Sequence, residues 1–439
     1  MKRDNIVLIT IDSLRWDYVG YYSNIDTTIT PNIDQFLEKG IIFKNAISQS
    51  PYTWGSFATI FTSHYPRMVT TPNGILLDNR LTLAEILKRG GYRTVGFHSN
   101  PFLTHVFGYD RGFDTFEDNF GGRRNSLKWG WFVHLISRLM RIYRIEPYLL
   151  AEKINKRVKG WFKKGYHYSS PFFLWIHYMD THGPYQSKKG FIYLNKIKGE
   201  WLWHKALRYP ERVSKKEREI LINRYKEEIR YLDGEIGNLY HFFKKIGLLE
   251  NTIFIICSDH GDGFYEHKKY SHIRNLYDEL LRIPLIIREP HLKERIEIER
   301  VVGLIDLTPT ILDLVRIDIR DLTFQGYSLK PLIEGRCGSN IPDYVVSDAG
   351  PDREDMLASI RTDEWKLIVD DKSGLRELYN LKKDPKESLN LANKELLLVE
   401  RLETILRKTL ESPPIGQKAM EPKLNREIMR QLKGLGYMD

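Results

Sequence analysis

Short apolar runs that each end on an acid or a histidine set the pattern of this chain. NIVLITID stops at Asp12, FFLWIHYMDTH runs through His177, Asp180 and His182, and IFIICSDHG, beginning at Ile253, ends on Asp259 and His260. Gly261 then lets the backbone turn away. Unbroken runs of this length predict strands buried on both faces, the habit of parallel sheets. Ligands of such sheets bind beyond the carboxyl ends of the strands. Three such ends meeting at one sheet edge would build a metal and anion site.

Helical patterns alternate with these runs. Thr30-Pro31 opens a helix that Gly40 closes, and Ile41 to Phe43 reads as a short strand. A turn-prone segment around Pro51 and Gly55 gives way to a helix over Phe57 to Phe61, with Thr53 at or just before its N-terminus. Unpaired amides and the positive end of the dipole favour an anion there. Thr82 and Glu85 form a capping box for a helix that ends at Gly90-Gly91, and YRTVGF follows as a strand. Apolar residues at Ile220, Leu221, Tyr225, Ile229, Leu232, Ile236 and Leu239 mark one face of a long helix ending at Gly247. Thr308-Pro309 opens another, through about Val315. The alternation predicts an α/β fold, a large, mostly parallel sheet sandwiched by helices. After about residue 335 the pattern becomes that of short antiparallel strands around a Ser-Gly turn, in MLASIRTDEWKLIVDDKSGLRELYNLKKDP. The predicted division is a catalytic domain over 1–335 and a small α+β subdomain with a polar tail over 336–439.

Composition changes this picture at few points. The formal charge of +10 over 439 residues favours anionic partners. Much of the excess lies in two Lys-, Arg- and Trp-rich insertions, at about 121–170 and 186–215. They read either as an amphipathic lid touching an anionic membrane surface or as helices packed on the core with lysines facing water. Neither is a nucleic-acid module, so nucleic acid is not an expected partner. Two cysteines, Cys257 and Cys337, suggest no disulfide framework, and Cys257 falls inside a core strand. The opening apolar run is too short for a secretory leader, and no stretch has 18 uninterrupted apolar residues. The expected location is cytoplasmic, with contact to a membrane surface left open. The oligomeric state is not legible.

Asp12, Asp259 and His260 offer carboxylate oxygens and an imidazole nitrogen, the donors of a hard or borderline divalent cation. Any one of them alone is as readily a strand-end cap. The ordered set NIVLITIDSLRWDYVGYY, FKNAISQSPYTWGSFATIFTSHYPR, IHYMDTHGPY, CSDHGDGFYEHKKYSHIRNLYDELLRIPLI, VGLIDLTPTILDL and IRTDEWKLI resembles the sulfatase family of the alkaline-phosphatase superfamily, from residue 5 to about 390. That resemblance implies an alkaline-phosphatase-like α/β domain and the hydrolysis or transfer of a phosphoryl or sulfuryl group of an anionic ester. It puts Asp12, Asp259 and His260 at metal-ligand positions and Thr53 at the nucleophile position, also against the metal. His182 and His272 become candidates to bind the ester oxygens or protonate the leaving group. Arg15, His177, Asp180 and His267 become substrate-binding or supporting residues.

The sequence also departs from the family pattern. The Cys/Ser-x-Pro-x-Arg motif that yields formylglycine is represented by Thr53, Gly55 and Phe57. Threonine cannot become formylglycine, so the expected reaction is hydrolysis of a phosphate mono- or diester through a covalent Thr53 intermediate. The alternatives are a sulfate-ester hydrolase, a phosphoglycerol- or phosphoethanolamine-type transferase at a membrane surface, and a non-catalytic binding protein. The family's paired acids are Asp12-Ser13 here, and its Asp-Asn is Asp259-His260. The shift toward nitrogen favours one Zn²⁺ or Mn²⁺ over Ca²⁺. A second metal is less favoured, because Tyr178 stands where two-metal relatives have an acid. Asp180, His267 and His272 are the groups that would have to compensate.

Overall fold

The computed structural model describes residues 3–22, 29–118, 148–164, 170–185, 193–272, 275–336, 340–350 and 356–411. Most of the first basic insertion, the start of the second, Cys337 and the C-terminal tail lie outside them.

Three apolar runs form the centre of the large sheet: β1 (Asn5–Ile11), β5 (Phe172–Tyr178) and β6 (Thr252–Ser258). All three are buried throughout, as strands covered on both faces must be. Alternate residues serve opposite faces. Val7, Ile9 and Ile11 pack with the helices Pro31–Leu37, Ala151–Lys163 and Lys215–Lys245, whereas Ile6 and Leu8 pack with Thr53–Thr62, Leu83–Arg89 and Leu307–Leu314. The helices thus sandwich the sheet.

Among the described residues this sheet has nine strands. β3 (Arg93–Phe97) lies beside β5, with β4 (Thr115–Glu117) outside it, all parallel. On the other side β8 (Leu285–Arg288) runs antiparallel between β6 and β2 (Ile41–Ile47). β7 (Arg282–Ile283) is antiparallel to β2, and β9 (Ile296–Gly303) is parallel to it. A second sheet, β10 (Tyr344–Asp348), β11 (Leu357–Thr362), β12 (Trp365–Asp370) and β13 (Leu375–Asn380), is wholly antiparallel. The helix Leu396–Glu411 covers it through Leu402, Leu406 and Leu410.

Several expectations need adjusting at their edges. The short strand at Ile41 continues to Ile47. The long helix is Lys215–Lys245, its predicted apolar face is buried apart from the exposed Ile220, and a Ser214–Glu217 capping box starts it. Within the 121–170 insertion, Ala151–Lys163 packs Ile154, Val158 and Phe162 into the core, which is the core-packed reading for that portion. No helix among the described residues is long and apolar enough to cross a membrane.

Candidate active site

Register brings the site together. Ile11 on β1 is level with Tyr178 on β5 and Ser258 on β6, so the three parallel strands finish side by side. Asp12 and Asp259 are the next residues of the central pair. The Asp12 N–H donates to Tyr178 O at 2.9 Å, which holds its backbone at the sheet edge. Ser13 then takes a left-handed conformation with φ 60°. Its N–H donates to Asp259 Oδ1 at 3.0 Å and its hydroxyl to Asp12 Oδ1 at 2.7 Å. Ser13 therefore orients both carboxylates.

Each ligating group keeps one atom for a cation. Asp259 Oδ1 also accepts the His260 N–H at 2.8 Å, leaving Oδ2 buried without a hydrogen-bond partner. His260 Nδ1 donates to Gly261 O at 2.8 Å, which puts the proton on Nδ1 and the lone pair on Nε2. That Nε2 lies 3.6 Å from Asp259 Oδ2. Asp12, Asp259 and His260 are fully buried and offer ligand atoms within 4.8 Å of one another. An orphaned carboxylate oxygen, a second carboxylate and a correctly tautomerised imidazole fit a divalent cation.

Thr53 is the first residue of the helix Thr53–Thr62 and is the slightly exposed member of the group. Its Oγ1 lies 3.3 Å from Asp12 Oδ2 and 3.2 Å from His260 Nε2. Gly55 is needed for this placement, since a Cβ there would come within 2.4 Å of Ser50 Oγ. Phe57 is fully buried and packs edge-on against the His177 ring at 4.8 Å.

Electrostatics follow from burying two acids together. Burial, then the neighbouring Asp12, pushes the Asp259 carboxyl up to about 7. Burial also works to raise Asp12, but His182, His177 and His260 outweigh it and hold the group below the usual carboxylate range. Asp262 is pushed up to about 6, chiefly by burial. Burial, then His260 and His182, holds His272 neutral. The His272 ring is 4.7 Å from that of His260 and 5.2 Å from that of His182, so the two candidate proton donors do adjoin the cluster.

The remaining candidates separate. His177 reaches the site, with Nε2 3.5 Å from Asp12 Oδ2. Arg15 supports it from behind, donating to Asp17 and to Asp262 O and pairing with Glu266 across the turn after His260. Asp180 takes a supporting place: its carboxylate accepts the Ala151 N–H at the start of the helix Ala151–Lys163, where free amides draw an anion. His267 is also held in a supporting place. It bonds Glu279 at 2.7 Å and Glu387 O at 3.1 Å and stacks on Tyr277, so it ties the site loop to the second sheet. Asn100 and His98 were missed, although they follow β3 as the other site residues follow their strands. Asn100 Nδ2 donates to Asp12 Oδ2 at 3.2 Å, and its N–H donates to His98 Nδ1.

Comparisons with known proteins place the family and the fold. The Sulfatase family model matches residues 4–317, and the model for the C-terminal part of N-sulphoglucosamine sulphohydrolase matches 265–412. The chain is 28% identical to an arylsulfatase of Clostridium perfringens, covering 94% of this chain and 96% of the relative. It is 24% identical to human arylsulfatase K, covering 94% and 84%. Two solved structures share the fold at 19% identity and a TM-score of 0.72. They are the phosphonate monoester hydrolase of Agrobacterium radiobacter, covering 95% and 100%, and a 2-O GAG sulfatase, covering 95% of each chain. The chain belongs to the sulfatase family of the alkaline-phosphatase superfamily.

Proposed function

We propose that the protein is a metal-dependent hydrolase of sulfate esters, with a phenol or a sugar hydroxyl as leaving group. The observation that carries the reading is the alcohol of Thr53 held between Asp12 and His260 in a chain that aligns with arylsulfatases over 94% of its length. This ranks the sulfate ester above the phosphate ester expected from the sequence.

Asp12, Asp259 and His260 would hold the cation, with Thr53 Oγ1 beside it. When bound, the cation supplies Lewis acidity that lowers the alcohol pKa and draws charge from the ester. Thr53 Oγ1 attacks the sulfur in line and gives its proton to solvent water as the bond from sulfur to the ester oxygen breaks; that oxygen takes a proton from His182, and the neutral His272 beside it binds the ester oxygens. Amides at the start of the Thr53–Thr62 helix stabilise the equatorial oxygens. Water then attacks the Thr53 ester at sulfur, releases sulfate and restores the hydroxyl.

A second reading retains the same residues and changes the central atom to phosphorus. Thr53 and Phe57 favour it, because an unmodified alcohol without a neighbouring arginine makes a stable ester as an intermediate. Matched aryl sulfates and phosphates assayed with Mn²⁺ or Zn²⁺ separate the two. Faster sulfate hydrolysis supports the first reading, and faster phosphate hydrolysis supports the second. Turnover of neither ester by the metal-loaded protein would remove both.

A further inference from the structure

We infer that the protein docks on an anionic lipid surface through the outer side of two adjoining helices, Tyr193–Arg208 and Lys215–Lys245, with Trp201 and Ile220 entering the interface. The helices are joined through the turn Pro210–Arg212 and fold back along each other. Lys205 Nζ meets Glu217 Oε1 at 2.7 Å, and a Cβ on Gly199 would strike the Arg224 guanidinium. Stepping from Lys205 back to Gly199 on one helix matches stepping from Glu217 forward to Arg224 on the other. This antiparallel register sets Trp201 level with Ile220 and Leu221. Leu202, Trp203 and Ala206 turn inward and are buried, as are Leu221 and Tyr225. Trp201 and Ile220 stay outside, 60% and 41% exposed. Trp203 packs on Gly183 and on the Tyr185 ring at 5.0 Å, in the turn after His182, so the docking face belongs to an element that borders the candidate site.

The side chains on that side match a membrane interface. Nine large apolar side chains are exposed among the described residues, and four of them, Trp201, Leu207, Tyr209 and Ile220, fall within 201–220. Single exposed apolar residues need no partner, but a group gathered on one helix pair marks a contact surface. The same stretch carries six basic residues against three acids. Lys205 is matched by Glu217 and Arg212 by Glu211, which leaves Arg208, Lys215 and Lys216 exposed as the excess. Lys205 Nζ lies 5.5 Å from the Trp201 ring centre, and the Arg208 and Arg212 guanidinium groups lie 5.5 and 4.9 Å from that of Tyr209. Such amphipathic rings settle at the level of the headgroups, where acidic lipids attract the basic residues around them. A sulfated chain would draw the same cations but offers nothing to bury Leu207 and Ile220, whereas the acyl boundary does. Charge and apolar exposure together therefore select the lipid surface.

Co-sedimentation of the full chain with vesicles tests this, and it is read without turnover, so it stands or falls apart from the proposed reaction. The wild type should sediment with vesicles of phosphatidylglycerol and phosphatidylcholine at low salt, lose binding as salt rises, and leave phosphatidylcholine vesicles unbound. Trp201→Ala with Ile220→Gln should weaken vesicle affinity at least ~10-fold, and Arg208→Glu with Lys215→Glu and Lys216→Glu should do the same. All five positions are exposed, so both variants should keep the wild-type melting temperature. No wild-type binding to phosphatidylglycerol at low salt would overturn the inference, as would binding that both variants retain. Binding to heparin without binding to vesicles would assign the face to a sulfated chain instead, and a dimer in solution that Trp201→Ala dissociates would assign it to a second copy.

Discussion

At the scale of single residues, the proposed chemistry turns on Thr53. Its hydroxyl is set between a carboxylate and an imidazole nitrogen. Thr53→Ala should lower turnover of the preferred ester at least ~10³-fold with little change in melting temperature. Thr53→Ser, which keeps the nucleophilic oxygen, should retain measurable turnover. Rates of the alanine variant within a few-fold of wild type would exclude Thr53 as nucleophile. The buried cluster of Asp12, Asp259 and His260 was legible because each stands where an apolar run stops. Their order of approach was not, since it depends on strand register and on the φ of Ser13. The place of Asp180 was not legible either, since only the fold brings its carboxylate to the start of the helix Ala151–Lys163.

At the scale of elements, the helix Thr53–Thr62 must be stopped firmly at both ends to present its first residue. Ser63 ends it in the left-handed conformation, donating its N–H to Thr59 O. Beyond it, His64 Nδ1 donates to Thr62 O at 2.6 Å, and His64 Nε2 accepts from Arg80 Nε at 3.1 Å. The bond from Arg80 requires the neutral ring. Burial first, then Arg80, outweighs the Thr62 bond and brings His64 down to about 4. The unfolded chain takes up a proton below about 6.5 that the folded chain refuses. This stability is therefore present above that value and lost as pH falls toward 4, by about 3 kcal/mol. Urea midpoints for His64→Gln should vary less than wild type between pH 4 and 6.5; an identical slope would assign the loss elsewhere. The capping residues of Leu83–Arg89 were readable from Thr82 and Glu85, which are local. This tertiary support for the nucleophile helix was not, because Arg80 meets His64 only after the chain has folded back.

At the scale of the whole molecule, the second sheet is joined to the site loop through buried charge. Lys366 on β12 is fully buried and reaches Asp278 and Glu387, each at 2.8 Å, while Arg361 also pairs with Asp278. Glu387 O in turn receives His267. Lys366→Ala leaves two buried acids without their shared cation and should cost about 3–5 kcal/mol, read from urea unfolding. A change below ~1 kcal/mol would show that water or rearrangement replaces the ammonium. Periodicity distinguished the two sheets, but no local pattern marks a lysine that ends up between them. Chelation should lower the melting temperature, and Mn²⁺ at 100 times its Kd should add about 2.7 kcal/mol of stability. One cation should sit where Asp12, Asp259, His260 and Thr53 converge. Anomalous diffraction from crystals grown with Mn²⁺ tests it most directly. The account predicts a single strong peak within about 2.3 Å of donor atoms of all four residues; a peak elsewhere, or none at saturating Mn²⁺, would contradict it.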